Sequence, residues 1–405
     1  MSNAKLEPTT ELVAPEDVMG FMLWPENPFW SFQFLRLIAE AYFGGADFTE
    51  CYLAARSVKA GDTEAWYDSF HALAAELEQK AERAAANGHV ISARQKWLRA
   101  SNYYRAAGSF HTVFDSRGIS ALEDRRRCFQ AAASCTESAI TAVEIPYEGT
   151  TLPGYLCLPQ AQATRPTPAA IVFGGGDAAS EEMYFRLGGP LALRDFTVLL
   201  IDGPGQGEAL HRGIVNRHDW EVPVGAAIDY LLAQGTVDPR RIAVVGASMG
   251  GFYAARAAAF EPRLAACVAW GGAYDLGYGL QLPRAKDPEA LAHGLKVFGA
   301  KDLEDGMAKI ARYTLKGAAE RIHCPTLIVT GEAEMAFMHP AGSTFQPSEW
   351  YTAHPKRLFD EIGHTNKTLL IYPIGKPGAN HDQADADAVA IEDICDWLQT
   401  TLIGA

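Results

Sequence analysis

The chain has 405 residues, 48% of them hydrophobic and 21% charged, which is enough to bury one large core and a second smaller one. A formal net charge of −14 removes any general attraction to polyanions, so nucleic acid is not an expected partner. Seven scattered cysteines (Cys51, Cys128, Cys135, Cys157, Cys267, Cys324 and Cys395) lack metal or disulfide-framework spacing. With no apolar run near the ~18 residues of a membrane span and no basic-then-apolar leader, a soluble, cytoplasmic protein is expected.

Ser2-Asn3-Ala4 has the look of a cloning remnant, and residues 1–20 are expected to be tag and disordered N-terminus. From 21 to 138 the apolar spacing is helical. FWSFQFLRLIAEAYFGG ends in a glycine pair, GDTEAWYDSFHALAAELEQKAERAAANG opens on Asp62-Thr63-Glu64 and closes at Asn87-Gly88, and two further helical patterns follow. No period near 34 residues recurs three times, so a single helical module is predicted rather than a repeat array.

Near residue 140 the period changes. ITAVEIPYEGTTLPGYLCLP alternates around Glu148-Gly149-Thr150 and predicts a hairpin; the linker QAQATRPTP leads to AAIVFGGG. FTVLLIDG, RIAVVGAS, LAACVAWGG, PTLIVTG and KTLLIYPIG then alternate with helical segments, including an insertion near 286–319 and the closing DAVAIEDICDWLQTTL. Continuous apolar strands between amphipathic helices specify a mostly parallel, doubly wound sheet covered on both faces. Residues 139–405 are therefore expected to form an α/β domain whose ligands bind beyond the carboxyl ends of the strands.

In VVGASMGGFYAARAAAF, Ser248 stands between a strand and a helix in a G-x-S-x-G pattern, where a sharp turn lifts its hydroxyl above the sheet. A serine needs a base to take its proton, and an acid to orient that base, in the chain order Ser, acid, His. His339, His354, His364 and His381 lie late enough; His381, after KTLLIYPIG and before the last helix, is the best placed, with His364 behind it. The acid belongs just after PTLIVTG, where Glu334 stands in Gly331-Glu332-Ala333-Glu334; Glu332 and Asp275 are the other candidates. An oxyanion needs preset backbone donors: Met249 N–H is one, and Gly176 or Asp177, after AAIVFGGG, supplies the other. The loop DGPGQGE matches neither the phosphate-loop nor the dinucleotide pattern and is expected to border the serine, with no cofactor and no metal implied.

IVFGGG, IDGPGQGE, VVGASMGG and FEPRLAACVAWGGAYDL together resemble the α/β-hydrolase group that includes 2,6-dihydroxypseudooxynicotine hydrolase, fungal polyketide-shortening hydrolases and FrsA-like esterases. The resemblance is strong over about residues 140–400 and looser over the helical module, where LRASNYYRAA matches best. It implies an α/β-hydrolase fold with an N-terminal all-helical cap domain, a small-molecule substrate held between cap and core, and a homodimer. It assigns the nucleophile to Ser248 and the base to His381; Glu334 departs from the usual aspartate. It also implies cleavage of a carbon–carbon bond beside a ketone; the departing carbanion must be stabilised, so a 1,3-dicarbonyl or aryl ketone is the expected substrate, with Tyr104 a candidate for its pocket. Carboxylesterase, peptidase, acyl-transfer or cyclase chemistry uses the same residues, and a non-catalytic regulatory protein is the reading in which Glu334 does not reach His381.

Overall fold

In the computed structural model, residues 8–135, 140–159, 166–281 and 288–404 are described. Ser2-Asn3-Ala4, expected to be a cloning remnant, and most of the linker after the hairpin lie outside them. Eight strands form one sheet in the order β1-β2-β4-β3-β5-β6-β7-β8. β1 (Ile140–Tyr147) and β2 (Thr150–Cys157) make the expected hairpin, with Tyr147 opposite Thr150. Its two-residue turn puts Glu148 at φ 42° and Gly149 at φ 80°, the left-handed pair that matches strand twist.

β2 pairs antiparallel with β4 (Thr197–Ile201), and β4 pairs parallel with β3 (Thr167–Phe173). β5 (Val237–Ala247), β6 (Ala266–Trp270), β7 (Thr326–Gly331) and β8 (Lys367–Tyr372) follow in parallel register. Every residue of β3, β4, β6 and β7 is buried, which is why these strands read as unbroken apolar runs. The architecture is an eight-stranded, mostly parallel sheet preceded in the chain by a helical region.

Two compact units are distinguishable. One holds the chain up to Leu35, residues 218–222 and residues from Ala243 onward; the other holds 36–217 and 223–242. The second contains the helices Phe48–Ala55, Thr63–Ala86, Val90–Ala107 and Ser116–Ser134, of which the last three pack in sequence. Aspartates start three of them: Asp47, Asp62 and Asp115 accept from the N–H groups of Glu50, Ala65 and Gly118. The helix that opens on Asp62 ends at Asn87, with Gly88 at φ 77°, as the sequence signals indicate.

In the first unit the chain before residue 21 takes part in the fold over its described residues, contrary to the disorder expected of it. Val13 and Phe345 exchange backbone hydrogen bonds of 2.9 and 3.0 Å, and Met19 is fully buried among Phe32, Ala333 and Ala379. Apolar contacts remote in sequence hold this segment, so local composition gives no sign of them. No helix among the described residues is long and apolar enough to cross a membrane.

Candidate active site

β5 ends at Ala247 and the helix Met249–Phe260 begins two residues later, so Ser248 alone makes the turn, at φ 59° and ψ −128°. A non-glycine residue in that region is strained, and the surroundings must hold it there. They do so through its N–H, shared between Trp270 O at 2.8 Å and Asp382 Oδ1 at 2.9 Å. The helix start also lies hard against the loop after β6: a Cβ on Gly251 would stand 2.6 Å from Gly272 Cα. Side chains at either position would push the turn off the sheet.

His381 follows β8 in a short turn in which Asp382 and Gln383 both have positive φ, 50° and 54°. Gln383 anchors this turn by accepting from Trp270 Nε1–H at 2.5 Å. His381 Nε2 lies 2.8 Å from Ser248 Oγ, and Nδ1 makes a short hydrogen bond with Glu334 Oε1. The ionised carboxylate can only accept, so the network puts the ring proton on Nδ1 and leaves the Nε2 lone pair facing the serine hydroxyl.

Glu334 is fully buried. Its other oxygen, Oε2, accepts from Gly331 N–H at 2.9 Å and from the Thr330 hydroxyl at 3.2 Å. The longer glutamate side chain thus folds back onto the end of its own strand. Gly331 permits this loop: a Cβ there would stand 2.0 Å from Ala379 O. Phe337 stacks on the His381 ring with centroids 5.1 Å apart, and Phe32 stacks on Phe337 at 4.2 Å, giving the imidazole an apolar wall.

The remaining sequence candidates are engaged elsewhere. Glu332 accepts from the backbone N–H groups of Thr9 and Ile374, tying down the N-terminal segment. Asp275 accepts from Gly277 N–H within its own turn. His364 accepts from Asn366 N–H two residues on, and His339 stacks on Phe345. His354 is buried and accepts from Tyr274 N–H through Nδ1. The structure therefore joins Ser248, His381 and Glu334 in one hydrogen-bonded chain.

Asp382 is the residue that sequence reasoning missed. It follows the histidine directly, and no pattern in the chain distinguishes it from a surface aspartate. Its Oδ1 accepts from Ser248 N–H and its Oδ2 lies 3.7 Å from His381 Nε2. Ligand atoms of Glu334, His381 and Asp382 lie within 4.8 Å of one another, a spacing that could hold a metal ion. Glu334 Oε1 is already bonded to His381 Nδ1, however, and His381 Nε2 to Ser248 Oγ.

The other sequence-predicted residues belong to the second unit. Gly176 and Asp177 follow β3, in a loop held by Gln206, whose Nε2 donates to Gly174 O and Gly175 O at 2.6 and 2.9 Å. The Asp177 side chain points to Arg36 Nη1 at 2.7 Å; Arg36 also grips buried Glu182 with two bonds of 2.5 and 2.6 Å. Burial alone would raise the Glu182 carboxyl, but Arg105 and Arg36 overcome it and hold it well below the usual range.

The DGPGQGE loop is locked by Asp202, which accepts from Ser180 N–H at 2.8 Å and Glu208 N–H at 2.9 Å. A Cβ on Gly207 would stand 2.2 Å from Asp202 Oδ2, so this glycine serves the lock itself. Tyr104 lies inside the helical bundle, 2% exposed, with its hydroxyl donating to Glu78 at 2.8 Å.

The family model described as Esterase FrsA-like matches residues 64–278. The chain belongs to the FrsA-like esterase family. Among other members of this α/β-hydrolase group, hydrolase acrC of Aspergillus aculeatus is 32% identical over 93% of this chain and 97% of its own length. The 20-hydroxy-prefusarin hydrolase FUS2 of Gibberella moniliformis is 31% identical over the same shares of the two chains. The crystal structure of 2,6-dihydroxy-pseudo-oxynicotine hydrolase superposes with a TM-score of 0.75 at 26% identity, covering 90% of this chain and 96% of the other. This FrsA-like protein is an enzyme, a hydrolase of the α/β type.

Proposed function

We propose that Ser248, His381 and Glu334 act as nucleophile, base and orienting acid in hydrolytic cleavage of a small-molecule ketone. The observation that carries this reading is the unbroken hydrogen-bonded chain from Glu334 through His381 to Ser248 Oγ. His381 Nε2 takes the hydroxyl proton as Oγ bonds to the substrate carbonyl carbon. Met249 opens a helix, where first-turn N–H groups have no acceptor within the helix, and it offers one donor to the oxyanion.

Collapse of the tetrahedral intermediate breaks the bond to the leaving group, whose electron pair takes the proton from His381 Nε2–H. Water then attacks the acyl-enzyme, giving its proton to His381; the acid product departs and Ser248 Oγ recovers the proton. When the broken bond is carbon–carbon, the departing carbanion needs an electron sink, which a 1,3-dicarbonyl or a phenolic ketone provides. The names of the relatives that act on 20-hydroxy-prefusarin and on 2,6-dihydroxy-pseudo-oxynicotine favour small-molecule substrates of this kind over peptides.

A fluorophosphonate probe should label the intact protein at Ser248, and Ser248→Ala and His381→Ala should lose turnover by at least about 1,000-fold. Full turnover in either variant, or an unlabelled serine, would sink the reading. Product analysis by mass spectrometry over 1,3-diketones, aryl ketones and simple esters separates carbon–carbon cleavage from esterase chemistry.

A further inference from the structure

The wall beside His381 continues into a cluster that is apolar except at one place. Phe337 touches both the His381 ring and a group formed by Ala273, Met335 and Trp350. Trp350 and His354, four residues apart, bring their rings to a centroid distance of 4.1 Å, and Tyr278 meets His354 edge-on at 4.7 Å.

His354 is 2% exposed and Trp350 is 9% exposed. Because His354 Nδ1 accepts from Tyr274 N–H at 3.0 Å, the neutral ring carries its proton on Nε2. Burial, with Arg357 adding to it, holds the imidazole down at about 4, so the ring is neutral at ordinary pH. Neither His354 Nε2 nor Trp350 Nε1 has a hydrogen-bond partner among the described residues. Buried polar groups left unpaired are costly, and two neighbouring donors in one apolar cluster need an acceptor from outside the protein.

We infer that His354 and Trp350 form a specificity subsite that receives an uncharged carbonyl or phenol oxygen of the substrate, remote from the carbonyl that Ser248 attacks. Both groups are donors only, so the ligand atom must accept. Both are neutral, so a carboxylate would lose its hydration for two ordinary hydrogen bonds and is disfavoured. The apolar surroundings suit a flat or alkyl substituent carrying that one oxygen. Met335 and Phe337, one and three residues after Glu334, pack in the same cluster as Trp350, so the subsite adjoins the segment that carries the acid. This inference rests on the proposed role of Ser248 and extends it to substrate choice.

The test uses the full chain and p-nitrophenyl esters of equal acyl length, with and without a keto oxygen along the chain. Trp350→Phe removes one donor and keeps an aromatic ring. It should raise KM for the keto esters about 3- to 10-fold more than for the plain esters, the worth of one hydrogen bond. His354→Gln, whose amide can still accept from Tyr274 N–H, should shift the keto esters alone if it folds. Equal shifts for both esters, or none, would overturn the subsite and point to a packing role or a buried water on the two donors.

Calorimetric binding of the butyl amides of the same acids to Ser248→Ala protein supplies a readout that needs no turnover. The keto amide should bind the added Trp350→Phe variant about 3- to 10-fold more weakly and the plain amide equally. An unlabelled Ser248 with this discrimination intact would refute the triad and leave the subsite standing; a labelled Ser248 without discrimination would do the reverse.

Discussion

Glu334 divides its carboxylate between two tasks, one oxygen meeting His381 Nδ1 and the other accepting Gly331 N–H at 2.9 Å. Aspartate on the same backbone is one methylene too short to keep both. Glu334→Asp is expected to lower kcat about 10- to 100-fold, since small misplacement of a catalytic group costs on that order. Glu334→Gln keeps the length, removes the charge and can favour the wrong imidazole tautomer. Its loss should approach about 10,000-fold, the scale known for the equivalent change in a serine protease. Steady-state kinetics on an activated ester checks both; a Gln variant as active as the parent would remove Glu334 from the mechanism.

Gly271, at φ 64°, supports both carboxylates of the site from beneath. A Cβ there would stand 2.3 Å from Asp382 Oδ1 and 2.8 Å from Glu334 Oε1. Gly271→Ala combines a left-handed backbone with two clashes, so a destabilisation of about 2–4 kcal/mol is expected. Activity should fall further than the folded fraction does. Urea midpoints and kcat measured together check this, and a variant of parental stability and rate would show that the loop relaxes freely.

Much of this arrangement is visible in the chain itself. Strands such as TLIVT and AVVGA are buried on both faces, so their composition alone marks them, and the Ser–acid–His order then says where to look for the base and acid. The three residues so found meet in one hydrogen-bonded chain. Other parts depend on contacts that no local pattern encodes. Phe32 reaches the His381 neighbourhood from more than 300 residues away in sequence, and Val13 pairs with Phe345 across a similar span. The helices Pro347–Ala353 and Pro355–Glu361 are seven residues each, too short to show an apolar period, and only a proline at each start signals them. Asp382 is hidden for another reason: its role lies in a left-handed turn that sequence does not announce.

Burial of His354 makes stability depend on pH. Its folded-state value of about 4, against 6.5 unperturbed, means that folding disfavours the proton, chiefly through lost hydration and secondarily through Arg357. Above about pH 6.5 both states are neutral and this group adds no penalty. As pH falls below that, the unfolded chain binds the proton first, and stability drops until about pH 4, by up to about 3 kcal/mol. His354→Gln should lack this component. Urea midpoints at pH 7.5, 6 and 5 should therefore converge between parent and variant as the pH falls; parallel lines would contradict it.

Asp382 holds the turn at Ser248 by accepting its N–H at 2.9 Å, while its second oxygen lies near His381 Nε2. Because Ser248 sits at a strained φ of 59°, loss of that acceptor should let the turn relax and carry Oγ away from the base. Asp382→Asn keeps a carbonyl oxygen for the N–H and should retain kcat within about 10-fold; Asp382→Ala removes it and should lose about 100-fold. The contrast separates geometry from charge. If Asn is as damaging as Ala, the negative charge beside the imidazole is what matters; if Ala is silent, Trp270 O alone suffices to hold the turn. Fluorophosphonate labelling rates at Ser248 should follow the same order as kcat, because attack on the probe requires the same placement of Oγ against His381.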